Sequence, residues 1–447
     1  MFENLAEKLN LPKDIAEITG ENTRVSFSPL LNAISEFNAE IENFNGENAQ
    51  NLGEILIITT DSGYFAAGKD LRDGLKSGGE RVAVFCADDG EIAPENLKNF
   101  IFSVERAKFA AVIGGAELYN LSAPFLSEKN IKSVFVPSGC EIGSVFCSRK
   151  NAFGGENGNS TENDENGRGY PRFIVFDAEF IEKSANKYKN YSACCYVESA
   201  RLLPFEAEVF ADARAEKQES LSKINEILKT SFGFLSEYYL KRDYKSLFFA
   251  CASAGILKEY AASIDIGDAA GAFAFIAGGY VRGENVFGGE TEFYAAQILL
   301  LIYENFFNGD YCGQNSQCEG GAFFLSLPCA LEKVLKLEKD FGFKLSDLPE
   351  LPDYFYNDEK LADLTYSIFK NADLKQKIEK LKGEFIKSGE KLKSVYGGKR
   401  RVVKSLSEKN KAAALELTPF LTRGDCVIKV LCACGAFENL SVAKNGE

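Results

Sequence analysis

The sequence predicts two regions of different class: an α/β domain with a parallel sheet over residues 1–186, then an all-α domain over 187–447. Three observations carry this. Short continuous apolar runs recur at roughly 25-residue spacing between 54 and 136, each ending in Asp, Gly or Pro. Helical spacing fills the segments between them. From about Lys187 the strand-like runs stop, and one helical segment follows another.

The elements follow in order. Phe2–Leu9 carries a short helical pattern. So does 29–44, where Leu30, Leu31, Ile34, Phe37, Ile41 and Phe44 recur at helical spacing. Glu54–Thr60 is an unbroken apolar run, the signature of a strand buried on both faces of a parallel sheet. It ends in Asp61-Ser62-Gly63, and a helix is expected over 65–77. A second strand, 81–86, leads to Asp88-Asp89-Gly90. The segment 94–105 reads as a helix with Pro94 near its start. A third strand, 109–113, ends in Gly114-Gly115, followed by a helix over 118–127. A fourth strand, 131–136, ends at Pro137, and a fifth, 172–176, at Asp177. Residues 151–170 are rich in Gly, Asn and Glu and read as a mobile loop. Beyond it, helices are expected over 193–212, 218–240, 243–261, 291–308, 321–339, 359–370, 374–395, 405–416 and 425–435.

Composition excludes several functions. The 447 residues contain no histidine. Ser-His-Asp and Cys-His catalysis, H-E-x-x-H sites and mixed Cys/His zinc centres are therefore excluded. The net charge of −14 gives no general attraction to phosphate backbones, so nucleic acid is not expected as a partner. The run Lys399-Arg400-Arg401 with Lys404 reads as a solvated helix end. The start of the chain lacks the basic-then-apolar order of a signal peptide, and no apolar stretch approaches a membrane span. A cytoplasmic protein without membrane partners is expected. The 12 cysteines are scattered without a C-x-x-C pair, and most are expected to be reduced, buried thiols. A Cys312/Cys318 clip is the minor alternative.

In an open parallel sheet, ligands bind outside the carboxyl ends of the strands. That edge carries Asp61 with Ser62 and Gly63, Gly114-Gly115-Ala116, and the run Pro137-Ser138-Gly139-Cys140-Glu141-Ile142-Gly143-Ser144. Asp61 is placed to accept from ribose hydroxyls. Gly114 and Gly115 free the backbone for close approach, and the helix after them offers amides and a positive dipole end to a phosphate. Ser138 and Ser144 can donate to a phosphate or a ring amide. The plainer explanation is that short strand-to-helix turns favour Gly, Ser and Asp for their own geometry. Three such turns on one edge favour a small-molecule nucleotide pocket. Neither G-x-G-x-x-G nor G-x-x-x-x-G-K-[ST] is present, so the standard dinucleotide fingerprint and the P-loop are both missing.

The order of parts resembles the superfamily of iron-containing alcohol dehydrogenases, glycerol-1-phosphate dehydrogenases and dehydroquinate synthases. Residues 57–69, with Asp61, Tyr64 and Ala66-Ala67-Gly68-Lys69, are similar to the first strand and turn of glycerol-1-phosphate dehydrogenases. Ala111-Val112-Ile113-Gly114-Gly115-Ala116 with Asn120 resembles a G-G-G-x-x-x-D turn. Residues 137–144 resemble P-T-T-x-x-T-G-S. Phe287-Gly288-Gly289-Glu290 resembles an H-G-E helix start, and Leu421-Thr422-Arg423 through Gly435-Ala436-Phe437 resembles the family's terminal helix. The resemblance implies a Rossmann-like, dehydroquinate synthase-like fold, NAD(P) as cofactor with Asn120 in the turn that binds it, a small phosphorylated alcohol as substrate, and a homodimer. It also implies a divalent metal held by one carboxylate and two histidines.

This sequence departs from the metal pattern. The two histidines fall near Ala272 and at Gly288, and the carboxylate falls near Cys194 and Cys195, one turn before Glu198. Ala and Gly have no donor atoms, so no metal is expected. The expected function is a divergent dehydrogenase-like protein with its metal site lost; the alternative is a non-catalytic nucleotide-binding or scaffolding pseudoenzyme. A soft metal on Cys194, Cys195 and Glu198 is weighed against two buried thiols beside an exposed Glu198. Lys150 is a candidate for polarising a carbonyl, and Glu284 and Glu290 for proton transfer if buried. Cys140, Cys194 and Cys195 are candidate nucleophiles if a helix end or a lysine activates one of them.

Overall fold

The computed structural model describes residues 2–18, 23–45, 53–88, 92–146, 171–184, 187–211, 218–280, 288–307, 372–397, 407–422 and 424–433, with short pieces between 333 and 368. Expectations for 151–170, Cys312/Cys318, Lys150, Glu284, the basic run at 399–404 and almost all of helix 321–339 lie outside these residues. The chain divides into two compact units. The first takes residues from Met1–Ser148, Asn159–Ala193 and Thr230–Ile256; the second takes residues from Cys194–Lys229 and Leu257–Glu447.

The first unit is built on a seven-stranded sheet: β1 (Glu3–Asn4), β2 (Arg24–Ser26), β3 (Glu54–Thr60), β4 (Val82–Ala87), β5 (Ala107–Gly114), β6 (Ser133–Pro137) and β7 (Phe173–Val175). Their order across the sheet is β1-β2-β7-β6-β5-β3-β4. Every neighbouring pair is parallel except β1–β2. β3, β5 and β6 lie inside the sheet and are buried along nearly their whole length, as their unbroken apolar runs require. β4 lies at an edge and is only half-buried.

Alternation sends odd and even residues of β3 and β5 to opposite faces. On one face Ile55, Ile57, Phe109, Ala111, Ile113, Val134, Val136 and Val175 pack with residues of the helices Leu30–Asn45, Lys69–Ser77 and Ala178–Ser184. Phe37 sits at the centre of this face, its ring 5.0 Å from Phe109 and 4.6 Å from Phe173. On the other face the helix Ala116–Glu128 lays Tyr119 against Phe135, rings 4.9 Å apart. At the β2–β7 end, Phe27, Phe176, Phe248 and Phe249 form an aromatic cluster, with the Lys245 ammonium 3.9 Å from the Phe27 ring centre.

The second unit is helical. Its described helices include Leu202–Ala211, Ala269–Tyr280, Gly288–Phe307, Ala372–Tyr396, Glu408–Leu421 and Val427–Ala433. Ala269–Tyr280 packs on both Gly288–Phe307 and Glu408–Leu421. Near the end of the described chain, a parallel bridge joins Ile266 to Asp425. Gly267 N–H donates to the Asp425 carbonyl at 2.9 Å, and Asp425 N–H to the Asp265 carbonyl at 2.8 Å.

Three expectations need correction. Phe2–Leu9 contains the strand β1 as well as a helical turn, and β2 went unpredicted. The expected helix over 193–212 is two helices, Lys187–Ser199 and Leu202–Ala211. The helix Ala269–Tyr280 was unforeseen: it is almost wholly buried, so it shows no polar face from which a period could be read. Among the described residues, no helix is long and apolar enough to cross a membrane.

Candidate functional site

The chain leaves β3 for the edge strand β4, then crosses back over β3 to β5, and steps outward through β6 and β7. The winding therefore reverses between β3 and β5, which is where open α/β sheets form their ligand crevice. Two of the predicted turns flank this point, Asp61 after β3 and Gly114-Gly115 after β5.

The residues at the reversal are closely tied. Thr59 Oγ1 donates to the Ile113 carbonyl at 2.9 Å, fastening the end of β3 to the end of β5. Thr60 caps the helical turn Asp61–Gly63, accepting from Gly63 N–H at 3.4 Å. That turn runs into a π-helical segment, Tyr64–Gly68, before the regular helix Lys69–Ser77. Such segments are rare and concentrate at functional sites. Arg72 donates to the Tyr64 hydroxyl and pairs with Asp73 at 2.7 Å. Asp61 is exposed and accepts from Cys86 Sγ at 3.1 Å.

The glycines differ in what they do. A Cβ on Gly63 would lie 2.6 Å from Thr59 Oγ1 and 3.0 Å from the Ile113 carbonyl, so packing alone requires glycine there. A Cβ on Gly114 would meet Leu118 Cδ2 at 2.9 Å. Gly115 is exposed, and a Cβ there would meet nothing within 4 Å. Its φ of −75° and ψ of 167° suit any residue. Among the described residues, no contact therefore requires glycine at 115. It sits at the N-cap of the 13-residue helix Ala116–Glu128, whose first amides receive no side-chain cap. An accessible, uncapped helix start is suited to an anion.

The turn after β6 joins the same edge. Ser138 N–H donates to the Gly114 carbonyl at 2.8 Å, and Ser184 Oγ donates to the Ser138 carbonyl at 2.9 Å. Asn120 Nδ2 donates to the Ser144 carbonyl at 3.4 Å. Ser144 is exposed, whereas Ser138 is buried to 9% exposure. Helix Tyr244–Ser263 backs this turn so closely that a Cβ on Gly255 would lie 2.2 Å from the Gly143 carbonyl oxygen. Thus Asp61, Gly114, Gly115, Asn120, Ser138 and Ser144 share one edge of the sheet. Gly63, read from sequence as part of that edge, orders it together with Thr59, Thr60, Cys86 and Gly255, which were not singled out. The Thr-Thr pair closing β3 is the signal that was available for two of them.

The resemblance's metal positions lie in the second unit, and the residues there do not fit a metal. Ala272 is fully buried, and Gly288 begins its helix without a donor. Glu198 is buried rather than exposed, which corrects the expectation. Its Oε2 accepts from Arg201 Nε at 2.7 Å and from Ser388 Oγ at 2.7 Å. Cys194 and Cys195 are fully buried, and Cys194 Sγ lies 3.4 Å from the Tyr396 hydroxyl. Cys140 is likewise buried, its Sγ donating to the Tyr244 carbonyl at 3.5 Å. None of the three candidate nucleophiles is open to solvent. Among the described residues, no group of three or more Cys, Asp or Glu side chains is placed to share a metal ion. Glu290 is buried to 5% exposure, in the first turn of helix Gly288–Phe307.

No family model matches the sequence. No curated protein matches it either. Solved structures with a similar backbone include alcohol dehydrogenases. One, from an archaeal halo-thermophile of a Red Sea brine pool, is 11% identical with a TM-score of 0.49, over 93% of this chain and 96% of that one. The iron-containing alcohol dehydrogenase of Thermococcus thioreducens is 11% identical with a TM-score of 0.46, over 89% and 90%. The maleylacetate reductase of a Rhizobium species is 12% identical with a TM-score of 0.46, over 89% of each chain.

Two further charged groups lie buried in the second unit. Glu206 accepts from the Tyr303 hydroxyl at 2.5 Å and from Val427 N–H at 2.7 Å. Burial raises its carboxyl to about 7, against the two hydrogen bonds, and the Asp268 charge adds to the rise. Burial and the Glu206 charge together push the Tyr303 hydroxyl and the Cys426 thiol upward. Burial pulls the Lys429 ammonium downward, opposed by Cys426, Asp425 and Asp265.

Proposed function

We propose that the first unit binds a nucleotide of the NAD(P) type at the carboxyl edge of its sheet, between the Asp61 turn and the Gly114-Gly115 turn. The supporting observation is the reversal of strand order between β3 and β5, with an uncapped, unobstructed glycine at Gly115 beside it. In this reading Asp61 accepts from ribose hydroxyls. The amides after Gly115 receive a phosphate oxygen. Ser144 donates to the far end of the ligand, while Asn120 and Ser138 hold the loop that carries it. The dinucleotide would supply hydride chemistry; the chain supplies position and hydrogen bonds. The chain is then a dehydrogenase-like protein, and a small phosphorylated alcohol is the substrate class if turnover is retained.

One observation favours the second reading, a nucleotide-binding protein without turnover. Where the resemblance calls for metal ligands, the chain has Ala272, Gly288 and a Glu198 already engaged by Arg201 and Ser388. The polarisation that a metal gives a substrate oxygen has no evident substitute among the described residues of that region.

Thermal shift of the purified chain with NAD, NADP and ADP-ribose tests the site. Gly115→Asp is the companion variant. An aspartate at the N-cap should hold or slightly raise stability, by about 0.5 kcal/mol, while its carboxylate repels a phosphate. Stabilisation of the parent by at least one ligand, lost in Gly115→Asp, is the expected result. No shift with any of the three would sink the proposal. A shift with ADP-ribose that matches the one with NAD, without reduction of NAD by small alcohols, favours the second reading.

A further inference from the structure

Lys258, on helix Tyr244–Ser263, is buried to 5% side-chain exposure in the second unit. Its ammonium donates to Asp268 Oδ2 at 2.8 Å and to Glu292 Oε2, and it lies 4.5 Å from the centre of the Tyr196 ring. An ammonium has three N–H donors. Two go to carboxylates, and the third direction is met by a ring face that attracts cations. The cation is saturated and has no donor left for a substrate.

Its partners come from separate elements. Asp268 precedes helix Ala269–Tyr280 and accepts from Gly271 N–H through Oδ1, leaving Oδ2 for the lysine. Glu292 lies in the first turns of helix Gly288–Phe307, and its Oε2 also accepts from Ser199 Oγ at 3.2 Å. Tyr196 and Ser199 lie on helix Lys187–Ser199. Ala272 and Gly288, where the resemblance would put imidazoles, stand one helical turn from Asp268 and Glu292 respectively. Ala272 N–H donates to the Asp268 carbonyl at 3.1 Å. Each segment that lacks its histidine thus carries a carboxylate one turn away, and both carboxylates close on one lysine. Burial works to pull this ammonium down, but the charges of Asp268 and Glu292 outweigh it and hold it above the usual lysine range. It is charged at every working pH.

We propose that Lys258 is the resident cation of the second unit, an ammonium that clamps Asp268, Glu292 and Tyr196 together so that the unit folds without a divalent metal. This stands independently of nucleotide binding in the first unit. Its experiment reads metal and melting temperature, not NAD.

The full chain is purified as wild type, Lys258→Met and Lys258→Ala, and each is melted with EDTA and with added Mn²⁺ or Zn²⁺. Wild type should carry no stoichiometric metal in elemental analysis, and its midpoint should be unmoved by EDTA or by either ion. Lys258→Met keeps the volume but leaves two facing carboxylates uncompensated; its midpoint should fall by about 10 °C and stay down when metal is added. Lys258→Ala should also fall, but it opens space between the carboxylates, so Mn²⁺ or Zn²⁺ should bind at about one ion per chain and recover part of the loss. A wild-type protein that holds one divalent ion or melts earlier in EDTA would overturn the proposal. So would Lys258→Met melting with wild type. Should Lys258→Ala fail to fold, the wild-type and Lys258→Met arms still decide the matter.

Discussion

Replacing Glu206 with Gln should change how stability depends on pH, and the structure fixes both sign and size. The carboxyl has an ordinary value of 4.5 and is raised to about 7 in the fold. The fold therefore favours the protonated form. Stability is fully present below 4.5, is lost as pH climbs through the interval between 4.5 and about 7, and is level above it. At roughly 1.4 kcal/mol per tenfold change in proton affinity, the loss is about 3 kcal/mol. Gln is a close copy of the protonated acid. Its carbonyl can accept from Val427 N–H, and its amide can donate to the Tyr303 oxygen, so both contacts keep a partner. Tyr303 and Cys426, which face the same carboxyl, are pushed upward and stay neutral over this range. The two proteins differ in this one side chain, so the difference between their profiles isolates Glu206. Urea unfolding followed by circular dichroism at intervals from about pH 5 to 8.5 is the assay. Near pH 5 the two proteins should agree within about 1 kcal/mol, and at pH 8 Glu206→Gln should be the more stable by about 3 kcal/mol. Parallel profiles, or a variant weaker at pH 8, would refute the reasoning.

Two glycine substitutions test the close approaches that order the rest. Gly255→Ala would set a methyl 2.2 Å from a backbone oxygen that cannot rotate away. It should cost about 2–3 kcal/mol in urea unfolding and weaken any nucleotide-induced thermal shift, because Ser144 follows the displaced Gly143. Gly424→Ala combines a φ of +68° with a contact of 2.7 Å to the Asp265 carbonyl carbon. It should cost about 2 kcal/mol or more, while Gly115→Ala, which meets no neighbour, should stay within about 0.5 kcal/mol of wild type.

The central strands were legible because burial on both faces forces an unbroken apolar run, and β3, β5 and β6 have one. β1 and β2 were not, because two or three residues such as Arg24-Val25-Ser26 hold no period to detect. β2 takes its place by pairing with β7, a contact between residues nearly 150 positions apart in sequence, and β1 takes its place by pairing with β2. Helix Ala269–Tyr280 was hidden for the opposite reason, being apolar on every side and holding Gly271, Gly278 and Gly279. At the candidate site the turn residues could be read, since Asp, Gly and Ser at strand ends are local signals. Their separate duties could not. Gly63 and Gly115 look alike in sequence, yet one is fixed by Thr59 and Ile113 while the other faces open space. Lys258 reads as an ordinary helical lysine until the fold brings Asp268 and Glu292 to it from two other segments.

A chain without imidazole must draw any response between about pH 5 and 8 from groups moved there by their surroundings. Pairing and burial act in opposite directions, and the second unit uses both. Lys258 is buried among two carboxylates, so its charge is locked on and does not respond to pH. Glu206 is buried with a hydroxyl and a backbone amide as hydrogen-bond partners, and these do not offset the burial, so its charge is opposed and its proton leaves near neutrality. The two groups are also linked, because Asp268, which clamps Lys258, is one of the charges that raise Glu206. Removing the ammonium should leave the Asp268 charge less balanced and drive Glu206 higher. The pH at which the loss of stability levels off should then move upward in Lys258→Met relative to wild type, while its onset stays where it is, and that displacement should vanish when Glu206→Gln is added. A single cation would in that case set both the assembly of the helices and the pH at which their buried carboxyl lets go of its proton.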